Sequence, residues 1–382
     1  MELLHNCCAG LDVHKSFVAA CVRSIGRDGA ARTEVRSFPT VTAGLLLLAD
    51  WLVAEGVTHV AMESTGVYWK PVFNILEGQV EVMLVNAHHI KNVPGRKTDV
   101  KDAEWIAQLL AHGLLRPSLI PPPPIRELRD LTRQRTQLVR DRARVANRIQ
   151  KVLEDANIKL ADVASDPLGV SGRAMIRRLI AGDTDPVALA ELARRQLRRK
   201  IPQLQAALQG RVTDHHRFLL RSLLNQIDYL EGLIAEFDAR IGEAMGPYEQ
   251  AEARLRTIPG IGPEVAEAIV AETGADMSRF PTAGHLASWA GLCPGNHRSA
   301  GKRLSGKTTK GNQWLRTMLV QAAWSATHTK ATILGAAYRT WVKRMGKKKA
   351  LVAVAHKILK LVHKLLSEGK DYVEPLAPLP AA

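Results

Sequence analysis

Aromatic residues and cysteines are both scarce in this sequence. Phe, Trp and Tyr make up only 5% of its 382 residues, which disfavours a protein that binds single strands by stacking bases on aromatic platforms. The four cysteines show no CxxC spacing, so neither a zinc ribbon nor a disulfide framework is indicated. This usage is typical of a chain kept in a reducing cytosol.

An export signal and long apolar runs are also missing. The first ten residues lack a basic flank and a long apolar core, and the most apolar helix-like run, residues 45–53, is interrupted by Asp50. We therefore expect a cytoplasmic protein with no membrane partner.

What the sequence has in excess is positive charge. Lys and Arg number 53 against 37 Asp and Glu, a formal net charge of +16 at pH 7. This excess indicates a polyanionic partner, with nucleic acid ahead of an anionic membrane surface. Apolar residues make up 46% of the chain, enough to build two or three domain cores without disulfides.

Residues 1–120 show the pattern of an α/β domain, because short apolar runs alternate with helix-like stretches. In chain order we predict strands at Cys7–Val13, Phe17–Arg23 and Glu34–Phe38, a helix at Val41–Ala54, a strand at His59–Glu63, a helix at Tyr68–Leu76, a strand at Glu81–Asn86 and a helix at Val100–His112. This is the element order of a ribonuclease H-like domain. The tract Pro121–Pro124 cannot continue a helix, so it predicts a domain boundary near residue 120.

The region 121–250 is predicted to be helical. Residues 125–156 read as one long helix, and residues 220–241 carry a heptad pattern, so the two can pair as an antiparallel coiled hairpin and mediate oligomerisation. Nine Lys or Arg stand against three acids between residues 126 and 151. That helix faces either a nucleic-acid groove or, as a coiled-coil surface, solvent. Between the two helices lies a basic run of Arg194, Arg195, Arg198, Arg199 and Lys200.

Four acidic residues stand where a metal site can form. Asp12 and Glu63 lie at the ends of the first and fourth predicted strands, and Asp99 and Asp102 stand three apart at a helix start. Functional residues of an open α/β sheet gather at strand ends, and residues three apart share one helix face. Such a cluster repels itself unless divalent cations neutralise it, and oxygen ligands suit Mg²⁺ or Mn²⁺. The alternative is that the helix acids only favour a helix N-terminus and the strand acids lie at turns.

The C-terminal region, residues 251–382, opens with a glycine-rich turn. Residues 258–263 read Ile-Pro-Gly-Ile-Gly-Pro and precede a helix-like stretch, a pattern typical of a helix-hairpin-helix. Gly260 and Gly262 would let backbone amides approach a DNA phosphate without reading base sequence. A plain turn between packed helices is the alternative.

A serine lies between two cations in the loop that follows. Arg298 and Lys302 can clamp a scissile phosphate while the hydroxyl of Ser299 attacks it. A serine beside a glycine also commonly caps a turn, and from spacing alone that structural role is favoured.

Residues 301–308 match the P-loop pattern GxxxxGK[ST], but the chemistry of ATP binding is not supported. No apolar strand precedes the segment, and Gly311 interrupts any helix that would follow it. We therefore interpret Lys302, Lys307 and Lys310 as contacts to nucleic-acid phosphates.

Three segments carry a resemblance to a known family. They are Leu-Asp-Val-His-Lys at 11–15, Met-Glu-Ser-Thr-Gly-Val-Tyr at 62–68 and Arg-Lys-Thr-Asp-Val-Lys-Asp-Ala at 96–103. They closely resemble the acidic tetrad of the insertion-sequence-110 (IS110) family of transposases, and the C-terminal glycine turn and serine loop are similar to that family's second domain. The resemblance implies a RuvC-like domain in which the metal ligands are Asp12, Glu63, Asp99 and Asp102.

The resemblance also implies a mechanism and partners. Ser299, or alternatively Ser305, would form a covalent phosphoserine link to DNA. Double-stranded donor and target DNA would be chosen by pairing with a structured bridge RNA, and the protein would act at the nucleoid as a homodimer or homotetramer. Two rivals stay open: a RuvC-like junction nuclease that uses water and leaves Ser299 structural, and a non-catalytic DNA-binding protein.

Overall fold

The computed structural model describes residues 3–26, 28–64, 66–87, 90, 102–295, 297–299, 302–305 and 307–375. The chain divides into two compact units, Met1–Ile120 and Pro121–Ala382. This division falls at the proline tract. A further boundary at residue 250 stays a prediction.

The first unit is an α/β domain built on a five-stranded mixed sheet. Its elements are β1 (Cys7–Val13), β2 (Phe17–Ile25), β3 (Ala31–Pro39), α1 (Thr42–Ala54), β4 (His59–Glu63), α2 (Trp69–Leu76), β5 (Glu81–Val85) and α3 (Asp102–Ala111). The strand order is β3-β2-β1-β4-β5. The first three strands pair antiparallel, and β4 lies parallel to both β1 and β5.

The two faces of this sheet have separate cores. Ala9 and Leu11 of β1 pack with α1 and α2 on one face, whereas Cys8 packs with α3 on the other. This alternation follows from the two-residue period of side chains along a strand. The central strand is therefore covered by helices on both faces.

The edge strand β3 is longer than the predicted strand Glu34–Phe38. Every residue from Ala31 to Pro39 pairs with β2, although most of the strand is exposed. Backbone hydrogen bonds hold this pairing regardless of side-chain polarity. The residues at the start of β3 are mostly polar, so the apolar pattern in the sequence did not reveal them as part of the strand.

The second unit is mainly helical. Its helices are α4 (Pro123–Asp155), α5 (Leu160–Val163), α6 (Val170–Ile180), α7 (Pro186–Ala190), α8 (Ile201–Ala207), α9 (Asp214–Met245), α10 (Glu249–Arg256), α11 (Pro263–Thr273), α12 (Ala283–Trp289), α13 (Gln313–His328), α14 (Ile333–Met345) and α15 (Lys347–Glu368). Two short 3₁₀ helices span Arg195–Lys200 and Gly246–Tyr248. A two-stranded hairpin pairs β6 (His297–Ser299) with β7 (Lys302–Ser305).

The long helices α4 and α9 run antiparallel to each other. Arg135 contacts Asp238, and further along α4 Arg142 contacts Glu231. Residues later in α4 therefore contact residues earlier in α9. Leu138, Val145 and Ile149 of α4 share one buried cluster with Leu220, Leu224 and Ile227 of α9. The pairing is the predicted one, and its supercoiling stays a prediction. Among the helices of the described ranges, none is both long and apolar enough to cross a membrane.

Candidate active site

Asp12 and Glu63 lie side by side on neighbouring strands. Leu11 of β1 is the parallel partner of Met62 of β4, so the next residue of each strand is Asp12 and Glu63. Leu11 and Met62 are buried in the α1 and α2 core. Because successive side chains alternate between faces, both carboxylates belong to the opposite face, which α3 covers. Both residues are partly exposed there.

Helix α3 begins at the same end of the sheet. It runs antiparallel to β1: Ala111 accepts a hydrogen bond from the amide of Leu4, Ala107 from the thiol of Cys8, and Ala103 lies against Gly10. Asp102, the first residue of α3, precedes Ala103 and therefore lies beside the part of β1 that comes after Gly10. Asp12 stands two residues along that strand.

Gly10 permits this close approach. A Cβ built on Gly10 would lie only 2.3 Å from the carbonyl oxygen of Ala103 and 2.3 Å from the amide nitrogen of Ala107. Both alanines are fully buried. The helix backbone therefore rests directly on the strand backbone, and any side chain at position 10 would move α3 together with Asp102.

His14 is a site residue to which the sequence assigned no role. Its Nε2 lies 3.0 Å from the Asp12 carboxylate, and its ring stacks on Phe17 with centroids 4.5 Å apart. The available signal was its spacing, since residues two apart in an extended chain face the same side. The contact orients the Asp12 carboxylate.

The four predicted metal ligands are only partly described. Asp99 lies outside the described residues. Within the described ranges, no group of three or more His, Cys, Asp or Glu side chains forms a ready cation site. The structure thus places Asp12 and Glu63 as neighbours and Asp102 at the helix start facing their end of the sheet, while their joint metal binding stays a prediction.

Ser299 lies at the end of β6, where its backbone pairs with that of Lys302 in β7. The sequence predicted a loop here, whereas residues 297–299 and 302–305 form the strands of a hairpin, with a further bridge between Pro294 and Thr308. The side chains of residues 296–306, including those of Arg298, Lys302 and Ser305, lie outside the described part of the chain. The phosphate clamp and the choice of serine therefore stay predictions.

Two glycines close the base of this hairpin. A Cβ on Gly311 would lie 2.3 Å from the backbone nitrogen of Gly291, which itself has a φ of +69°. The sequence indicated Gly311 only as a helix breaker. Residues 302–305 form a strand, and helix α13 begins only at Gln313, beyond this contact. The segment is therefore not the loop-to-helix junction of a P-loop.

The glycine turn connects α10 to α11. Gly260 has a φ of +90°, and a Cβ there would lie 2.3 Å from the carbonyl oxygen of Ala322 in α13, so this glycine lets the turn pack directly against α13. Gly262 precedes α11 and would meet nothing with an added Cβ. Lys307 and Lys310 are exposed. Phosphate binding by these residues stays a prediction.

Much of the positive charge of α4 is used inside the protein. Arg133 binds the nearly buried Glu272 of α11 through two hydrogen bonds of 2.7 and 2.8 Å. Arg129 approaches the same carboxylate, and Arg135 pairs with Glu267 and Asp238. These arginines hold α4 against α9 and α11, and whether the rest of the helix faces a nucleic-acid groove stays a prediction.

Glu272 is a further residue that sequence reasoning missed. Besides Arg133 and Arg129, its carboxylate accepts a 2.6 Å hydrogen bond from the side-chain amide of Asn312, which caps the start of α13. No sequence signal distinguished this glutamate from the exposed ones. It connects α4, α11 and the segment that follows the serine hairpin.

Two family models match separate parts of the chain. Residues 9–158 match the DEDD domain of IS110-type proteins, described as a transposase, and residues 252–339 match a domain described as transposase, IS116/IS110/IS902 family. The first match contains the strand-end acids and the second contains the serine hairpin.

Several curated proteins are similar over most of the chain. A putative transposase, y4rJ, of Sinorhizobium fredii is 30% identical over 293 residues, which cover 72% of this chain and 67% of the relative. The transposase for insertion sequence element IS1111A of Coxiella burnetii is 22% identical over 298 residues, 77% of this chain and 73% of the relative. A pilin gene-inverting protein of Moraxella bovis is 30% identical over 125 residues, 31% of this chain and 37% of the relative.

Proposed function

Because the chain belongs to the IS110 family of transposases, we propose that it breaks and rejoins double-stranded DNA as the recombinase of an insertion sequence. The name of the Moraxella relative, a gene-inverting protein, supports strand exchange in general.

The first unit is proposed to be a RuvC-like, ribonuclease H-like domain. Support comes from the antiparallel β1 to β3, the parallel β1, β4 and β5, and helices on both faces of the sheet. In an open sheet of this kind, active sites form at the carboxyl ends of adjacent parallel strands. Asp12 and Glu63 occupy those ends on β1 and β4.

The observation that carries the proposal is the placement of Asp12 beside Glu63 with α3 beginning at their end of the sheet. Together with Asp99 and Asp102 they offer only carboxylate oxygens, a donor set that fits Mg²⁺ or Mn²⁺. When bound, such ions stabilise the attacking and leaving oxygens of a phosphodiester displacement. Asp12 and Glu63, fixed on paired strands, would hold their oxygens in place without reorganisation.

The serine hairpin supplies the proposed nucleophile. The Oγ of Ser299 forms a bond to the scissile phosphorus, the bond from phosphorus to the adjoining nucleotide oxygen breaks, and that oxygen leaves as a hydroxyl carrying the serine proton. Reversal with another strand's hydroxyl rejoins DNA and frees the serine.

The phosphates around the cleavage point are proposed to be held by basic residues and glycine turns. Arg298 and Lys302 would balance the charge of the scissile phosphate. Flanking phosphates would be held by Gly260, Gly262, Lys307 and Lys310. A bridge RNA and a homodimer or homotetramer complete the proposal by resemblance.

Single substitutions in the 382-residue chain test this proposal. Incubated with donor and target DNA, any required RNA and Mg²⁺, the parent chain should form a covalent protein–DNA adduct that Ser299→Ala abolishes. Asp12→Asn and Glu63→Gln should each remove Mg²⁺-dependent cleavage. The matched control is Asp50→Asn, an exposed acid on α1, which packs on the opposite face of the sheet and should leave activity unchanged.

Each alternative predicts a different outcome. Cleavage that Ser299→Ala leaves intact while Glu63→Gln abolishes it would favour a junction nuclease that uses water. Activity that persists in both acid variants would refute the carboxylate site. Recombination that proceeds equally without RNA would refute guidance by RNA.

A further inference from the structure

The basic run at Arg194–Lys200 lies outside both family matches, which end at residue 158 and resume at residue 252. It occupies the helical segment that joins α4 to α9. No step of the proposed reaction uses it, so its five basic side chains need a separate explanation.

Three of these arginines have no acidic partner. Arg198 pairs with Glu191, and Lys200 donates to the carbonyl of Val163. Arg194, Arg195 and Arg199 are exposed, and among the described residues no carboxylate lies within salt-bridge distance of any of them. They differ in this from four arginines of α4, which pair with acids of other helices: Arg129, Arg133, Arg135 and Arg142.

Of the five acids in the same segment, four have other partners, and Asp162 lies beyond salt-bridge distance of the three arginines. Asp166 accepts from the amide of Leu168, Asp183 binds Arg178, and Asp185 caps α7. Glu191 is the partner of Arg198. The positive charge of the three arginines is therefore uncompensated locally, and it attracts a polyanion.

The local backbone presents these side chains outward. In a 3₁₀ helix, residues three apart line up in one row. Leu197 packs against the core of the helical unit, and Lys200, in the same row, bonds back to Val163. Arg195 and Arg199 therefore fall in the other two rows, which face away from the core. The amide of Arg194 is fixed by the hydroxyl of Ser171.

Arg195 is also held in an unfavourable backbone conformation, with a φ of +53°. A side chain other than glycine costs about 1–2 kcal/mol there. Glycine would relieve this strain. Such an outlier is consistent with a side chain used for binding.

From these observations we propose that Arg194, Arg195 and Arg199 form a binding site for the phosphodiester backbone of duplex DNA. The choice of DNA as the polyanion rests on the proposed function. A 3₁₀ helix rises about 2 Å per residue, so Arg195 and Arg199 stand roughly 8 Å apart along its axis. Duplex DNA carries one charge per about 1.7 Å, so each guanidinium can reach its own phosphate. Arg194–Lys200 contains no aromatic residue, so the site does not stack bases and reads no sequence.

The test is the salt dependence of DNA binding. The 382-residue protein is titrated against a labelled duplex without a recognition site, and binding is followed by fluorescence anisotropy. EDTA is present to prevent cleavage. The triple variant R194Q/R195G/R199Q removes the site while relaxing the strain at position 195. Each lost phosphate contact lowers the slope of log K against log salt by about 0.9. We expect a slope smaller by about 2.7, which near 0.1 M salt means binding weaker by up to roughly 500-fold.

A matched control separates a specific site from net charge. R144Q/R240Q/R256Q also removes three positive charges, but from arginines that each pair with an acid one turn away, Asp141, Glu243 and Glu252. Its slope should change by less than about 1. Equal changes in the two triple variants, or no change in either, would overturn the proposal, as would an effect on a hairpin RNA but not on duplex DNA.

Two single substitutions guard against misfolding. Arg199→Lys should keep the slope, and Arg199→Gln should lower it by about 0.9. This proposal can fail independently of the proposed function, because Asp12→Asn should lose cleavage and still bind duplex DNA as tightly as the parent. If Arg199→Gln bound with an unchanged slope, the site would be refuted even if the acidic residues proved essential.

Discussion

Replacement of Gly10 by alanine should move the start of α3 and impair cleavage, although position 10 carries no functional group. The added Cβ would stand 2.3 Å from the Ala103 carbonyl oxygen and from the Ala107 amide nitrogen, where ordinary contacts are 3.4–4 Å. Both atoms belong to the helix backbone and cannot rotate away. Helix α3 must therefore retreat from β1 by about 1 Å, taking Asp102 with it.

The expected magnitude follows from this displacement. Overpacking a core costs about 1–3 kcal/mol, and a clash with backbone on two sides belongs at the upper end. A misplacement of about 1 Å can lower an enzyme's rate by roughly 100-fold. We expect Gly10→Ala to lose about 3 kcal/mol of unfolding free energy and about 100-fold in cleavage rate.

Denaturant unfolding and cleavage should be measured on the same preparations. Trp105 of α3 is almost buried and contributes to a fluorescence signal for unfolding. Gly232→Ala is the matched control, since Gly232 lies in α9 and an added Cβ meets nothing; it should gain up to about 1 kcal/mol. A Gly10→Ala protein that unfolds at the parent's denaturant concentration and cleaves normally would refute the close packing of α3 on β1.

Two further predictions concern buried groups. Glu272→Gln should lower the free energy of unfolding by about 3–5 kcal/mol, because Arg129 and Arg133 lose the carboxylate that compensates their charge. The control Glu236→Gln changes an exposed residue and should cost less than about 0.5 kcal/mol. Denaturant unfolding measures both variants, and equal effects would contradict the role of Glu272. Burial raises the pKa of Cys8 to about 12 and that of Cys21 to about 11, so both thiols should resist a thiol reagent near pH 8 until the protein unfolds. Their contribution to stability is complete below the unfolded pKa of about 8.5 and declines as the pH rises above it towards the folded values, because only the unfolded thiols then ionise. Labelling of all four cysteines in the native protein would contradict this.

The two strand-end acids could be predicted from the sequence because the apolar pattern of each strand is local. Apolar runs marked β1 and β4, each acid stood at the end of its run, and parallel neighbours bring such ends together. The close approach of α3 could not be predicted in this way. It depends on Gly10, Ala103 and Ala107 meeting across more than ninety residues of chain, and small residues in a strand and a helix give no signal that they face one another.

The serine hairpin shows the opposite limitation. The sequence of this segment predicted a loop, because glycines and lysines are uncommon in strands and show no alternation of apolar and polar residues. The order comes from backbone pairing between β6 and β7 and from the contact of Gly291 with Gly311. A pairing held by backbone atoms is invisible to any reasoning based on side-chain periodicity.

Positive charge offers the clearest case of a pattern that sequence cannot interpret alone. The arginines of α4 and those of Arg194–Lys200 look alike as basic runs. They differ only in what lies opposite them: Glu272 and Glu267 of α11 neutralise Arg133 and Arg135, whereas the described residues place no acid beside Arg199. Whether a basic run stabilises the fold or binds a polyanion is thus decided by a distant element. The run with more basic residues, that of α4, is the one in which several arginines pair with acids inside the protein.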